Sequence, residues 1–225
     1  MRGEWSWGYA AEVFPTILAA LRVTVFATVL GTAFAMALGL VWAVLRRSPL
    51  RAVAWPVGLV VEFLRSTPLL VQIFFLYYAL PRWGVSLDAL STGVLALGLH
   101  YSAYASEVYR AGIEGVPRGQ WEAARALNLT RAQTYRRVVL PQAIPPILPA
   151  LGNYLISMFK DTPLLSAITV LEILRRAQII GKETLRFLEP YTIVGVTYLV
   201  LSLVSSRLVA HLEKRLDVEG RAAGV

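Results

Sequence analysis

A chain of 225 residues in which 56% of side chains are apolar and 16% charged carries too little charge for an ordinary soluble domain, where about a quarter of residues are charged. The formal net charge is +8, but the basic residues are scattered along stretches flanking apolar segments, which argues against a nucleic-acid-binding face. There is no cysteine, which excludes disulfides, thiolate metal sites and thiol redox chemistry.

In chain order, Met1 to Glu12 places Trp5, Trp7 and Tyr9 where amphipathic rings suit a membrane interface. It lacks the basic start, short apolar core and small-residue cleavage pattern of a signal peptide, so the next apolar segment is expected to stay as an anchor. That segment, Val23 to Leu45, runs 23 residues without a charge, enough at about 1.5 Å per residue to cross a hydrocarbon core of roughly 30 Å. Further spans are expected at Trp55 to Leu80, Leu90 to Tyr109, Leu140 to Leu171 and Tyr191 to about Leu208. The first of these carries Glu62 and Arg65; a central charge costs about 2.5–3.5 kcal/mol on insertion scales, which so apolar a segment absorbs. The pattern predicts an all-α membrane protein with five transmembrane helices.

Short connections at Arg46 to Ala54 and Pro81 to Ala89 make neighbouring spans antiparallel. Two connections are longer: a polar loop at about 110–139, and one at about 172–189 that reads as a short amphipathic helix. With no internal repeat and no long linker, residues 1–225 read as a single integral-membrane domain. Arg46, Arg47 and Arg51, six arginines between 110 and 137, and four basic residues from Arg207 onward put 13 positive charges on one side against six on the other. The richer side is expected to be cytoplasmic, with the N-terminus outside and the C-terminus inside. An odd number of spans without pseudo-symmetry makes a complete pore in one chain improbable, so a partner protomer is expected.

The polar loop has its own architecture. Pro117 suits a first helical turn, Glu122 lies near the positive helix end, and Ala123, Ala124, Ala126 and Leu127 are strong helix formers. Asn128 fits the stop, because after Gly it best tolerates the left-handed conformation that ends helices. Thr130-Arg-Ala-Gln133 matches a capping box opening a second helix. Such an Ala-rich surface edged by Glu122 and Arg125 could seat in a groove of another protein or be a solvated loop with ordinary caps.

Charges within the spans are candidate functional groups. Glu62 and Arg65, and Glu107 and Arg110, lie three apart and can meet on one helix face, either neutralising each other or serving gating and solute passage. Lys160 and Asp161 follow a segment broken by Pro145, Pro146, Pro149 and Gly152; such breaks are tolerated where a helix lines a polar cavity, and the pair either borders a pathway or forms a buried ion pair. A zwitterion would need Lys or Arg for its carboxylate and a carboxylate or aromatic face for its cation. Tyr77, Tyr78, Tyr101 and Tyr104 could supply faces, or act as packing and interfacial anchors. His100 reads as a satisfied core histidine. There is no phosphate-binding loop, since Gly181-Lys182 lacks its flanking residues, and no nucleophile elbow or metal motif.

Glu122-Ala123-Ala124, the turn at Asn128 and Leu140-Pro141 resemble the EAA motif by which permease subunits of bacterial ABC importers dock on their ATPase. Arg65-Ser-Thr-Pro-Leu-Leu-Val-Gln72, Ser102-Ala-Tyr-Ala-Ser-Glu107, Pro117-Arg-Gly-Gln-Trp-Glu-Ala-Ala124, Leu140-Pro-Gln-Ala143 and Lys160-Asp-Thr-Pro-Leu164 resemble its polar amino-acid branch, the histidine, glutamate, glutamine, arginine and opine type. Gly152 to Lys160 and Ala167 to Glu172 are most similar to ectoine and hydroxyectoine permeases. The family usually has Gly where Asn128 stands; both accept positive φ, so the turn should survive.

The resemblance implies a type I importer permease with a short cytoplasmic coupling helix, in the bacterial cytoplasmic (inner) membrane. Coupling would rest on Glu122, Ala123, Ala124, Arg125, Ala126, Leu127, Asn128, Leu140 and Pro141. A translocation pathway would draw on Glu62, Arg65, Thr67, Tyr104, Glu107, Lys160, Asp161 and Thr162. Implied partners are a pair of ABC ATPase subunits, a second permease protomer (identical or a related paralogue), an extracytoplasmic solute-binding protein and membrane lipid. The chain would hold no cofactor and be no enzyme, ATP and Mg belonging to the ATPase. The alternative is a secondary transporter driven by an ion gradient through Glu62, Glu107 and Asp161.

Overall fold

In membrane helices small residues let backbones meet, and one such row organises this molecule. A computed structural model describes residues 4–215. Helix α1 (Trp7–Ala19) runs through Ala20, itself in helical conformation, into α2 (Leu21–Arg46). On α2, Ala27, Gly31, Ala35, Gly39 and Ala43 recur every four residues, all buried. They face α5 (Ala89–Glu114), the most extensive helix pairing in the fold. A Cβ added at Gly39 would lie 2.8 Å from the Ala105 Cβ and 2.9 Å from the Ser102 carbonyl oxygen. Asp88 caps α5, its carboxylate accepting from the Leu90 and Ser91 amides at 3.0 Å each. Hydrogen bonding from Ser91 holds this carboxyl below its ordinary pKa.

Between them lie α3 (Arg51–Ser66) and α4 (Leu69–Phe74), the latter continuing through a π turn, Phe75–Ala79, and a 3₁₀ turn, Leu80–Trp83. The two arms meet at 107°. Pro68 forces the corner: the residue before a proline is pushed out of helical geometry, and Thr67 is extended. The side chain of Gln72 closes it, with Nε2 donating to the Leu64 carbonyl (2.7 Å) and shared with the Thr67 carbonyl (3.1 Å), Thr67 Oγ1 (2.8 Å) and Nδ1 of His100 on α5 (3.1 Å). Gln72→Ala is expected to destabilise the protein by about 1–3 kcal/mol, because buried carbonyls lose their donor; thermal unfolding in detergent measures it, and an unchanged midpoint would refute this account of the corner.

The rest of the chain comprises α6 (Arg118–Ala126), α7 (Arg131–Thr134), a π turn at Tyr135–Val139, α8 (Leu140–Ala143), a 3₁₀ turn at Pro145–Ile147, α9 (Leu148–Asp161), a 3₁₀ segment Thr162–Ile168, α10 (Ile173–Thr184) and α11 (Leu188–Arg215). The helix expected within 172–189 is α10. Glu172 caps it and is fully buried, accepting from the Leu174 and Arg175 amides and from the Tyr198 hydroxyl (2.8 Å). Arg186 bonds Glu189, donates to the Glu4 carbonyl (3.1 Å) and lies 4.7 Å from the Tyr9 ring centre, while the Ser6 amide donates to Glu189 (3.0 Å). These contacts fasten the start of α1 to the α10–α11 corner.

The expected spans need correction. Trp7–Arg46 and Leu188–His211 are long and apolar enough to cross a membrane, and the bent pair α3 and α4 qualifies if counted as one span. Trp55 to Leu80 is therefore not one straight helix. Leu140 to Leu171 is broken at Pro145–Ile147, as its prolines led one to expect, its regular part being the 14 residues of α9. Residues 7–12, read as interfacial chain, are helical. Among the described residues there is no strand.

Candidate functional site

Two regions gather the candidate residues. The first is α6 and the turn after it. Asn128 has φ +53°, the Leu129 amide donates back to Ala124 and the Asn128 amide to Arg125 (2.9 Å), which is the Schellman closure. Thr130 and Gln133 exchange both capping-box bonds. The helix lies on the Tyr135–Val139 turn with Ala124 inward, 1% exposed, while Glu122, Ala123, Arg125 and Ala126 face out and Leu127 is 73% exposed. Pro141 is exposed and Leu140 half-buried below them.

One expectation about Glu122 fails. The helix begins at Arg118 with no acidic residue in its first turn, so Glu122 is beyond reach of the positive helix end. Among the described residues it enters no ion pair. Its carboxylate is presented to the outside. The platform is held from behind by Trp121, stacked edge-on against Tyr135 (5.6 Å) with the Arg47 guanidinium 5.8 Å from its ring centre. The contact of Trp121 with Tyr135 and Arg47 was not foreseen in the sequence, where nothing local pairs them.

The second region is the wall of α5 and α9. Tyr101, Tyr104 and Tyr154 lie 5.9–6.4 Å apart in ring centres, and His100 is 5.2 Å from Tyr104. Arg65 sits over Tyr104 at 5.7 Å, and the Tyr104 hydroxyl donates to the Arg65 carbonyl (3.3 Å). At the other side the Tyr101 hydroxyl donates to Asp161 Oδ2 (2.7 Å). An aromatic wall thus has a guanidinium at one edge and a carboxylate at the other. Tyr77 and Tyr78 stack on each other instead, Tyr78 also meeting Phe74. Tyr154 is a member the sequence reading missed, and His100, read as a satisfied core histidine, also borders the wall. The available signal was spacing: Tyr154 lies two turns before Asp161, and His100 one turn before Tyr104.

The remaining candidates divide. Glu62, Arg65 and Glu107 fall in one cluster: Arg65 reaches Glu62 (3.7 Å) and Glu107 (3.2 Å), and Arg110 meets Glu107 (2.9 Å). Both expected i,i+3 pairs exist. Lys160 is exposed, and among the described residues neither it nor Asp161 joins an ion pair, so the buried-pair alternative is set aside. Adjacent helical residues point about 100° apart, and Asp161 takes the inward direction. Thr162 is fully buried, donating to the Phe159 carbonyl (2.7 Å) and bonded to Tyr198 (3.0 Å). Thr67 stands at the α3–α4 corner. His100 has its partner in Gln72. Among the described residues no three His, Cys, Asp or Glu side chains converge as a metal site would require.

The family described as binding-protein-dependent transport system inner membrane component matches residues 35–218. This chain belongs to that family. It is the transmembrane subunit of an ABC importer, a subunit type without catalysis of its own. It is 49% identical over 218 residues to a probable amino-acid ABC transporter permease of Sinorhizobium fredii, covering 97% of this chain and 94% of that one. It is 38% identical to the L-cystine transport system permease of Bacillus subtilis, covering 94% and 91%. Among solved structures, an amino acid ABC transporter crystallised with histidines superposes with a TM-score of 0.85 at 37% identity, covering 94% of this chain and 99% of that chain. The all-helical fold is the type I ABC permease fold. The gradient-driven alternative finds no support in these likenesses.

Proposed function

We propose that this permease carries a polar amino acid or similar zwitterion, and that α6 receives the stroke of a separate ATPase that binds ATP and Mg. The observation that carries the substrate class is the wall of Tyr101, Tyr104 and Tyr154 between Arg65 and Asp161. A guanidinium suits a substrate carboxylate, and a carboxylate with aromatic faces suits its ammonium. The names of its relatives, an amino-acid and an L-cystine permease, agree with that class. Within it, an ectoine-like zwitterion is the finer reading, resting on Gly152 to Lys160 and Ala167 to Glu172.

In this reading two protomers, identical or paralogous, surround the pathway, a solute-binding protein delivers from outside, and ATPase closure moves Glu122 to Asn128 with Leu140 and Pro141. Five crossings with the N-terminus outside remain the proposed topology; α5 at 26 residues is about 39 Å long, ample for one crossing. The wall is tested in liposomes holding the permease, its ATPase and the delivery protein. Asp161→Asn is expected to cut uptake of a labelled amino acid by about ten-fold, the worth of one charge-assisted contact, with assembly unchanged. Equal losses of uptake and assembly would make Asp161 structural. Competition by ectoine against amino acids then decides the finer reading.

A further inference from the structure

The inner ends of three helices share a single carboxylate. Glu107 on α5 accepts from Arg46 at the end of α2 (2.5 Å) and from Arg65 of α3 (3.2 Å), both on Oε1, and from Arg110 (2.9 Å) on Oε2. Both guanidiniums bond that oxygen at once, as its two lone pairs allow, with Arg46 the closer. Each arginine is tied to a different region. Arg47, next to Arg46, bonds Glu114 (3.2 Å) and lies over Trp121 of α6; Arg65 lies over Tyr104 of the aromatic wall. Displacing α6 relative to α2 pulls on Arg47, hence on Arg46, and a loosened Arg46 leaves Oε1 to Arg65.

We infer that Glu107 is a positioning residue whose release of Arg46 in favour of Arg65 transmits movement of α6 to the wall, an inference that rests on α6 being the docking element proposed above. The structure holds both arginines on Glu107; release of Arg46, leaving Oε1 to Arg65, is the second arrangement that such transmission requires. The cluster suits this use because it is half-open. Glu107 is 22% exposed and its arginines 23–38%, so water can take up a released partner without the full desolvation cost of a buried pair.

The test measures solute taken up per ATP hydrolysed by the complete complex in liposomes. Glu107→Gln, which keeps shape and removes charge, is expected to lower this ratio about ten-fold, and Glu107→Asp to return it to within about three-fold of wild type, in the range usual for coupling between sites. Arg47→Gln, at the exposed end of the chain of contacts, is expected to lower it about three-fold, toward the low end for residues that touch neither ligand. An unchanged ratio in both Glu107→Gln and Arg47→Gln overturns the inference, as do uptake and hydrolysis falling together in step with recovered complex. Should Glu107→Gln fail to assemble, Arg47→Gln alone decides. If Glu122→Lys uncouples the complex while these two do not, the docking role of α6 stands and only the part given to Glu107 falls.

Discussion

Glu122→Lys is expected to reduce ATP-driven uptake by at least about a hundred-fold while the permease stays folded in the membrane. Reversing a charge at a docking surface costs several kcal/mol when it creates a like-charge contact, and about 1.4 kcal/mol is ten-fold in an equilibrium. The fold has nothing to lose at this position: Glu122 is exposed, makes no ion pair among the described residues and stands beyond the first helical turn. Exposed substitutions of this kind stay within about 0.5 kcal/mol, so the thermal midpoint should hardly move. Uptake and thermal unfolding of the same preparation check both halves; uptake at the wild-type level would remove α6 as the site of coupling.

Gly39→Val should fail one step earlier, at assembly. A first methyl position at residue 39 already meets Ala105 Cβ at 2.8 Å and the Ser102 carbonyl at 2.9 Å. Backbone cannot swing aside as a side chain does, so α2 and α5 must separate. Overpacking costs about 1–3 kcal/mol by itself. Here the separation also opens the contacts of Ala35 and Ala43, and it draws Arg46 away from Glu107. Recovery of monodisperse protein is expected to fall, and the thermal midpoint with it, by a destabilisation of about 1–3 kcal/mol or more, with Gly39→Ala intermediate. Normal recovery of Gly39→Val would mean the two helices are not packed backbone to backbone.

The turn after α6 was legible in the sequence because its signals are local. Asn128 in the left-handed region and the Thr130–Gln133 exchange are decided within six residues. Reading Glu122 against the helix dipole failed although the start beside Pro117 was placed correctly, because Glu122 stands past the first turn from Arg118. The apolar run from Trp55 to Leu80 misled because hydropathy measures length in lipid and not direction, whereas Pro68 turns the chain. Lys160 and Asp161, neighbours on a helix and so about 100° apart, left a pathway role and a buried ion pair to neighbouring helices both open, and Asp161 instead takes the Tyr101 hydroxyl. The aromatic wall could not be read in full: Tyr154 comes to Tyr101 and Tyr104 across some fifty residues of chain, which no periodicity on one helix encodes.

The single amide of Gln72 grips both limbs of the corner at Pro68 and, in the same grasp, an imidazole from the neighbouring long helix. An elbow clasped on either side does not flex; it behaves as a bracket. Tilting α5 apart from α3 and α4 therefore costs the bonds of this amide, so the bent pair and the long helix are tied at one point.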